Sequence, residues 1–284
     1  MKIALFGQTG QVASELIRRA PENVALDVYG RDKAEFMMPA LVRDVARKVR
    51  ADVIVNATAY TAVDRAETEP EVADTVNGTS VRALAEAAAE IGVPLLHVST
   101  DYVFDGGGQA ARRPDEPMSP LSAYGRSKEL GERGIKDSSA RAAILRTSWV
   151  FSAHGTNFVK TMLRLGAANG ELTIVADQIG GPTPAAAIAD ALYAVAGAMV
   201  DGHAGGVYHF SGAPDVSWAD FAREIFCQSD IPAKVRDIPT SDFPRPAPRP
   251  MNSRLDCTTL EQEFGIARPD WKAGLAEVLK ELRV

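Results

Sequence analysis

The start of the chain carries the feature that most limits how it can fold: a short apolar run that ends in a glycine turn and leads directly into a helical pattern. The turn reads "FGQTGQVA", and its Gly7, Gly10 and Ala13 stand in a G-x-x-G-x-x-A spacing. Gly7 allows a tight turn, Gly10 lets the backbone approach a pyrophosphate, and the small Ala13 lets the helix pack closely on the sheet. The free N–H groups at the start of the helix favour phosphate. The pattern favours a dinucleotide-binding βα unit over a plain strand–helix turn.

Strand and helix patterns then alternate through the first two-thirds of the sequence. The predicted strands are the apolar runs in "KIALFG", "VALDVYG", "ADVIVNATA", "VPLLHVST" and "RAAILRTSWVF", and a helical pattern follows each of the first four. This alternation is typical of βαβ units, in which helices cover both faces of a parallel sheet. The sequence therefore predicts a Rossmann-type, doubly wound α/β fold.

The alternation loosens after about Trp149, and at 284 residues the chain is longer than one core usually needs. Further helix and strand patterns follow, together with a proline-rich stretch, "PTSDFPRPAPRPMNSR", which we expect to be an ordered loop because helical sequence follows it. We expect residues 1–148, with elements within about 173–210, to form the dinucleotide-binding domain. Residues 149–172 and 211–284 would form a second, smaller α/β domain that binds the substrate.

Composition and charge argue against several classes of protein. A net charge of −6 does not fit a nucleic-acid binder, which usually presents a basic face. The apolar run from Ile3 to Phe6 is too short for a signal peptide or a membrane span, and so is "ALYAVAGAMV". Cys227 and Cys257 show no metal-ligand spacing and are expected to be reduced thiols. We expect a soluble cytoplasmic protein that binds neither nucleic acid nor membranes.

The end of the second predicted strand bears on which nicotinamide cofactor is used. An acidic residue there binds the 2′-hydroxyl of the adenosine ribose, whereas an arginine accepts a 2′-phosphate. The sequence "DVYGRDKAEF" places Arg31 just past the strand, which favours NADPH. Asp27 lies inside the predicted strand and Asp32 directly follows the arginine. Use of NADH therefore stays open.

Tyr124 and Lys128, in "SAYGRSKELGE", are four residues apart and so share one face of a predicted helix. A tyrosine has an ordinary pKa of about 10, which a nearby ammonium lowers. Such a pair can give a proton to the oxygen of a carbonyl that receives a hydride. Ser99 and Thr100 end the fourth predicted strand, where ligands of doubly wound sheets bind, and can offer hydroxyls to the same oxygen.

Several of these motifs together resemble the extended short-chain dehydrogenase/reductase family. They are "GQTGQVA", "NATAYTAVD", "STDYVFDG", "YGRSK" and "RTSWVF". In the second half, "TNFVKTMLRL", "DQIGGPTPA" and "RPMNSRLD" resemble the members of this family that act on a nucleotide-sugar. The resemblance extends from Lys2 to about Trp271. It implies NADPH- or NADH-dependent reduction of the 4-keto group of dTDP-4-dehydro-L-rhamnose, which gives dTDP-L-rhamnose.

The resemblance also implies a role for individual residues. Tyr124 would donate the proton, Lys128 would hold the nicotinamide ribose and tune Tyr124, and Thr100 would bond the substrate oxygen. The implied cofactor-binding residues are Gly7, Gly10, Gln11, Val12, Arg31, Glu35, Phe36, Ala59, Tyr60, Thr61 and Lys128. The implied substrate-binding residues are Thr100, Asp101, Tyr124, Trp149, Asn157, Gln178 and Arg254.

Three features depart from the pattern of the family. Ala13 replaces a glycine that many members have, and Tyr60 replaces a histidine. Some members hold magnesium between subunits with a glutamate like Glu15 and a second glutamate after "PT"; here that stretch is "PTPAAAIAD". The missing glutamate argues against a metal, and none is expected. The resemblance implies a homodimer.

Two other functions stay open on the sequence. One is a nucleotide-sugar dehydratase or epimerase of the same family, although a dehydratase usually has an acidic pair after the threonine, where this chain has Asp101 and Tyr102. The other is a non-catalytic protein resembling the regulatory subunit of methionine adenosyltransferase. The remaining conspicuous side chains are expected to pack in the core or face solvent: His97, His154, His203, His209, Trp218 and Trp271.

Overall fold

The computed structural model describes residues 1–283 of the chain. Its strands are β1 (Lys2–Phe6), β2 (Ala25–Tyr29), β3 (Val53–Asn56), β4 (Leu95–Thr100), β5 (Ala142–Thr147), β6 (Val150–Phe151), β7 (Glu171–Val175), β8 (Ile179–Gly180), β9 (Thr183–Pro184), β10 (Gly206–His209), β11 (Val216–Ser217), β12 (Lys234–Ile238) and β13 (Asn252–Ser253). Its α-helices are α1 (Gln11–Arg18), α2 (Pro39–Ala46), α3 (Val63–Ala66), α4 (Pro70–Asp74), α5 (Ser80–Ile91), α6 (Ala123–Asp137), α7 (Phe158–Ala168), α8 (Ala185–Val200), α9 (Trp218–Gln228), α10 (Thr258–Phe264) and α11 (Trp271–Leu282). A π-helical turn, Thr75–Thr79, joins α4 to α5.

The main sheet has six parallel strands in the order β10-β5-β4-β3-β1-β2. The strand order reverses between β1 and β3, which is where sheets of this kind open a crevice for a ligand. This architecture confirms the predicted Rossmann-type, doubly wound α/β fold. The sequence pattern was informative because strands buried on both faces are continuous apolar runs.

Alternate side chains of β1 enter two different cores, as the two-residue period of a strand requires. Ile3 and Leu5 belong to the core that packs under α1 and α8, with Leu192 among its buried members. Ala4 and Phe6 belong to the opposite core, which lies under α2 and α5. Helices therefore cover both faces of the sheet.

Two late elements return to the main sheet. β10 pairs with β5 at the sheet edge, and α8 packs on the same core as α1. β7, whose sequence lies partly within the 173–210 range, instead pairs with β12 in a separate two-stranded sheet.

The smaller part of the molecule has its own apolar core between α7, α9 and α11. Its buried members include Phe151, Met162, Phe221, Trp271 and Leu275. The proline-rich loop is ordered, and it contacts a helix of the part of the molecule that surrounds the main sheet. Within that loop, Arg249 Nη2 donates to Asp64 Oδ1 in α3 at 2.9 Å.

Helix α6 lies unusually close to its neighbours because it has glycines where the contacts are closest. A Cβ on Gly125 would lie 2.3 Å from the carbonyl oxygen of Tyr102, and one on Gly131 would lie 2.1 Å from that of Asn77. The helix begins after Ser122, whose Oγ accepts the N–H of Gly125 at 3.1 Å. These contacts fix the position of Tyr124 and Lys128. Within residues 1–283, each helix is too short or too polar to cross a membrane.

Candidate active site

One continuous cleft lies along the carboxyl ends of the main-sheet strands, and it has two ends. The residues that line its first end come from the glycine turn, the end of β2 and the segment after β3. The second end lies between the start of α1, the end of β4, α6 and the end of β5. Thr9, Gly10, Ala57 and Thr58 line both ends. We call the first the adenosine end and the second the catalytic end.

The glycine turn at the start of α1 leaves room and free donors for a phosphate. Gly7 has a φ of +121°, and a Cβ there would lie 3.2 Å from the carbonyl carbon of Ala57. Gly10 caps α1 without a side-chain hydrogen bond, so the first amides of the helix, those of Gln11 and Val12 among them, have no side-chain acceptor. This is the arrangement that a pyrophosphate needs, and the residues present therefore fit a dinucleotide.

The adenosine end carries exposed charge where β2 ends. Arg31 is 87% exposed, and its Nε lies 3.4 Å from Glu35 Oε2. Asp27 lies inside β2, as expected, and accepts a hydrogen bond from the Tyr29 hydroxyl at 2.8 Å. Phe36 is buried edge-on against Phe6. An exposed cation at this position fits a cofactor with a 2′-phosphate.

The segment Ala59, Tyr60 and Thr61 lines the adenosine end, and an asparagine holds it in place. Asn77 Oδ1 accepts the N–H of Tyr60 at 2.8 Å, and its Nδ2 donates to the Tyr60 carbonyl at 3.0 Å. The same Nδ2 donates to Ser127 Oγ in α6 at 2.9 Å. The sequence analysis missed Asn77. An Asn-Gly pair inside an alanine-rich helical stretch was the available signal, because π-helical turns are frequent at functional sites.

Thr100, Asp101 and Tyr124 form the centre of the catalytic end, and all three are buried. Thr100 Oγ1 donates to Asp101 Oδ1 at 2.9 Å. The ring of Tyr102 lies edge-on to that of Tyr124, with 5.5 Å between the ring centres. Burial raises the pKa of the Asp101 carboxyl to about 6, against the hydrogen bond from Thr100. Burial also raises the pKa of Tyr124 well above its usual value.

Lys128 lies on the same face of α6 as Tyr124, but its ammonium group is bonded to β4. Its Nζ donates to the Val98 carbonyl at 2.8 Å and lies 3.1 Å from His97 Nε2. Burial lowers the pKa of Lys128 to about 8, and the nearby Glu132 opposes this shift. The expected lowering of the pKa of Tyr124 is not found in the chain alone, because burial of the phenol raises that pKa instead.

A buried ion pair anchors α6 to the sheet behind these residues. Arg146 in β5 donates to Glu132 from Nε at 2.9 Å and from Nη2 at 2.7 Å. Ser99 Oγ donates to Glu132 Oε1 at 2.6 Å. In this structure Glu132 accepts the hydroxyl proton of Ser99, and a contact of Ser99 with the substrate stays a prediction. The sequence analysis did not single out Glu132 or Arg146, although Glu132 follows Lys128 at one-turn spacing.

Trp149 lines the catalytic end on the side of the smaller core. It has a φ of +48° and stacks on Trp218, with 3.6 Å between ring centres and 13° between ring planes. Trp218 is half-buried rather than a core residue, whereas Trp271 is buried as expected. A tryptophan with left-handed backbone geometry is uncommon and is held here by the stack.

The remaining predicted substrate residues make other contacts. Asn157 begins α7 and donates from Nδ2 to Gln11 Oε1 at 2.9 Å. Gln178 Nε2 donates to Thr240 Oγ1 at 3.1 Å, and Arg254 Nη1 donates to Asn252 Oδ1 at 3.1 Å. The structure thus brings Thr100, Asp101, Tyr124, Lys128 and Trp149 to one end of the cleft. Asn157 contacts this end through Gln11, whereas Gln178 and Arg254 do not line it.

Two buried polar atoms at the catalytic end have no partner among the residues that the structure describes. They are Asp101 Oδ2 and Thr147 Oγ1, and both residues line the cleft. Because a buried polar atom without a hydrogen bond is costly, these atoms favour a ligand with hydroxyl groups.

Glu15, His154 and Glu281 come together at the outer side of α1, which their spacing in the sequence did not indicate. Their ligand atoms lie within 4.8 Å of one another. His154 Nε2 is 3.1 Å from Glu15 Oε1, so His154 is not simply a surface histidine. Arg18 Nη2 already binds Glu15 Oε2 at 2.7 Å. A cation at this group would compete with that guanidinium for Glu15.

Known proteins resemble the chain along its whole length. The family described as the RmlD substrate binding domain matches residues 1–284. The dTDP-4-dehydrorhamnose reductase of Sinorhizobium fredii (strain NBRC 101917 / NGR234) is 44% identical over 279 residues, which cover 96% of this chain and 94% of the relative. A crystal structure of a dTDP-4-dehydrorhamnose reductase from Clostridium acetobutylicum has a TM-score of 0.93 and 34% identity, and covers 100% of both chains. One from Bacillus anthracis, in complex with NADP, has a TM-score of 0.91 and 31% identity, and covers 99% of both chains.

Proposed function

Since the chain belongs to the family of the RmlD substrate binding domain, we propose that it catalyses the reaction for which its relatives are named. It is an NADPH-dependent oxidoreductase that reduces the 4-keto group of dTDP-4-dehydro-L-rhamnose to give dTDP-L-rhamnose. The observation that carries this proposal is the single cleft, which joins a phosphate-binding glycine turn to the buried group of Thr100, Tyr124 and Lys128.

The raised pKa of Tyr124 suits the role of proton donor. NADPH, when bound, supplies the hydride. The negative charge that develops on the C4 oxygen is a strong base, and a phenol that keeps its proton at neutral pH can give it to that oxygen. Thr100 would bond the same oxygen by turning its hydroxyl proton away from Asp101 Oδ1, which accepts that proton in this structure.

The cofactor would lie across the whole cleft. Gly7 and Gly10, with the first amides of α1, would hold its pyrophosphate. Arg31 and Glu35 would meet the adenosine ribose, and Arg31 supports a preference for NADPH. Lys128 would meet the nicotinamide ribose at the other end. NADH can fill the same cleft without the contact to Arg31.

The nucleotide-sugar would enter beside the Trp149–Trp218 stack. Trp149 offers a ring face to the base or the sugar, and Asp101 and Thr147 offer unpaired polar atoms to hydroxyl groups. We propose weaker, outer contacts for Asn157, Gln178 and Arg254.

One contact argues against the dehydratase alternative. The position after Asp101, where a dehydratase usually carries a second acid, is Tyr102, whose ring packs on Tyr124. Burial raises the pKa of Tyr102 to about 12, so the position carries an un-ionised phenol at neutral pH and not a second carboxylic acid.

Three broader features belong to the same proposal. We propose that the chain forms a homodimer and acts in the cytoplasm, where the two free thiols, Cys227 and Cys257, stay reduced. The dinucleotide-binding domain would comprise residues 1–148 with α8 and β10, because these elements lie on the main sheet. β7 would belong to the substrate domain with β12.

The test is an NADPH-oxidation assay with the purified full chain and a panel of 4-keto nucleotide-sugars. We expect NADPH to be consumed with dTDP-4-dehydro-L-rhamnose and the product to be dTDP-L-rhamnose. Tightly bound NAD after purification, with no net NADPH consumption, would instead indicate an epimerase. Inactivity with the whole panel, together with a stable complex with methionine adenosyltransferase, would indicate the regulatory protein.

A further inference from the structure

A chain of three fully buried polar side chains runs from the end of β3 to the catalytic helix. Asn56 ends β3, His97 lies in the middle of β4, and Lys128 lies in α6. Asn56 Nδ2 is 3.0 Å from His97 Nδ1, and His97 Nε2 is 3.1 Å from Lys128 Nζ. The expectation that His97 only packs in the core is therefore wrong.

A backbone amide fixes the direction of hydrogen bonding along this chain. Asn56 Oδ1 accepts the N–H of Thr58 at 3.0 Å, and since a backbone N–H can only donate, the oxygen of the amide must face Thr58. The Asn56 NH₂ group consequently faces His97 Nδ1. A donor there requires an acceptor, so Nδ1 carries the lone pair, and the proton of the neutral ring is on Nε2.

The proton on His97 Nε2 points at the nitrogen of Lys128. An ammonium has no lone pair and would oppose this N–H with one of its own. A neutral amine can accept the N–H of His97 and still donate a proton to the Val98 carbonyl, which it does at 2.8 Å. With a neutral Lys128 amine, the N–H of His97 therefore has an acceptor. With an ammonium, two N–H donors would face each other.

We propose that Asn56 and His97 are positioning residues that favour the neutral amine of Lys128 over its ammonium, through a hydrogen bond from His97 Nε2–H to Lys128 Nζ. Protonation of Lys128 would force the ring proton from Nε2 to Nδ1, where it would oppose the Asn56 NH₂ group. The Asn56 side chain, held by the backbone of Thr58, is what makes that change costly.

The charged surroundings agree with this arrangement. Burial lowers the pKa of His97 well below its usual value, and Lys128 lowers it further, so the ring is neutral. Burial lowers the pKa of Lys128 to about 8. The other buried titratable or charged groups on the elements around Lys128 are Asp101 after β4, Arg146 in β5, and Tyr124 and Glu132 in α6. Of these, Glu132 favours the ammonium, so it opposes the effect of His97.

The consequence for catalysis rests on the proposed function. Once Tyr124 has given its proton away, the phenolate must be reprotonated, and Lys128, which lines the same end of the cleft, would supply the proton: an N–H bond breaks at Nζ, an O–H bond forms on the phenolate, and an amine remains. His97 stabilises that amine, and water in the open cleft restores its proton. A lysine with an ordinary pKa of about 10.4 would hold its proton too tightly for this exchange.

The first test needs no substrate. ¹⁵N NMR of the full chain with labelled histidine, at a pH of about 9 where the Lys128 amine dominates, reports which nitrogen of His97 is protonated. We expect the Nε2–H form. A ring protonated on Nδ1 at that pH would overturn the proposal, because His97 would then accept from Lys128 rather than donate to it.

The second test changes the partner of His97 and leaves the ring in place. In Asn56→Asp, the new carboxylate accepts from both Thr58 N–H and His97 Nδ1–H, so Nε2 becomes an acceptor for the ammonium. In Asn56→Leu, the NH₂ donor is lost without added charge. We expect the NMR titration of the Lys128 side chain to rise by about one pH unit in Asn56→Leu and by more in Asn56→Asp. The core variant Ile54→Val, on the same strand, should leave the titration unchanged.

Turnover provides a third readout that separates this proposal from the proposed function. If the enzyme reduces its keto-sugar, the loss of activity at high pH should move upward with the Lys128 titration in the two Asn56 variants and stay in place in Ile54→Val. Unchanged Lys128 titrations in both Asn56 variants would overturn the proposal even if the enzyme is fully active. A chain without reductase activity would still show the expected tautomer and titrations, so the two proposals fail separately.

Discussion

The two ends of the cofactor cleft are built in opposite ways. At the catalytic end, Tyr124 and Lys128 are buried, and the Lys128 nitrogen bonds to groups of β4. At the adenosine end, Arg31 is 87% exposed and makes one ion pair, at 3.4 Å. Proton transfer needs a fixed geometry in a low dielectric, whereas the choice between cofactors needs only a charge near a ribose. Substitutions at the catalytic end should therefore cost much more than those at the adenosine end.

The largest effect is expected for Tyr124→Phe, which removes the proton donor and keeps the ring. We expect kcat to fall by about 10²–10⁴ because general acid catalysis is lost. NADPH affinity, measured by fluorescence titration, should stay within about twofold, since a single hydroxyl is removed. Tyr102→Phe is the matched control, because it removes a phenol from the adjoining ring and should retain most activity. Equal losses in both variants would contradict the assignment of the donor.

The next largest effect concerns the stability of the catalytic end. Arg146→Met leaves Glu132 buried without its cation, and we expect the free energy of unfolding to fall by about 3–5 kcal/mol. Urea unfolding followed by circular dichroism measures this. The double variant Glu132→Leu/Arg146→Met removes both charges and should recover much of the loss.

Arg31→Met provides the comparison from the adenosine end, and its urea midpoint should match that of the wild type because its ion pair is exposed. If Arg31→Met and Arg146→Met lowered the midpoint equally, the contrast between the two ends would not hold.

A smaller effect is expected at the mouth of the catalytic end. Trp218→Leu removes the ring that supports Trp149, and we expect KM for the nucleotide-sugar to rise by about tenfold while kcat changes little. Trp218→Phe keeps an aromatic surface, so its KM for the nucleotide-sugar should lie between those of the wild type and Trp218→Leu. A kcat loss without a KM change would indicate that the stack positions the catalytic group instead.

The same contrast between the ends explains what the sequence could and could not predict. The glycine turn, the buried parallel strands and the Tyr124–Lys128 spacing are local patterns, and each falls where the pattern indicated. The partners of Lys128 are not local: Asn56 and His97 come from other strands, and β-sheet pairing alone brings them together. A buried histidine in an apolar run carries no sign of what it bonds to, and so its contact with Lys128 emerged only from the fold.

The misplaced expectations have a similar physical origin. Ser99 and Thr100 are adjacent in β4, so their side chains point to opposite faces of the strand: Ser99 donates to Glu132 and Thr100 donates to Asp101. Trp218 follows a helical pattern, but its outer face meets a tryptophan from the turn after β5. Periodicity predicts which side of an element is apolar, and it does not predict what covers that side.

The smallest effects are expected at the adenosine end, where substitutions should change KM for NADPH and KM for NADH differently. Arg31→Gln removes the cation proposed to meet the 2′-phosphate, and we expect KM for NADPH to rise by about fivefold and KM for NADH to stay unchanged, because an exposed ion pair is weak. Glu35→Gln frees Arg31 from its carboxylate, so KM for NADPH should fall by about twofold. Both changes should shrink as salt is added, since exposed charges are screened, while the loss in Tyr124→Phe should not. A salt-independent preference for NADPH that survives Arg31→Gln would place the recognition of the phosphate on another group, of which Arg65 lines the same end of the cleft.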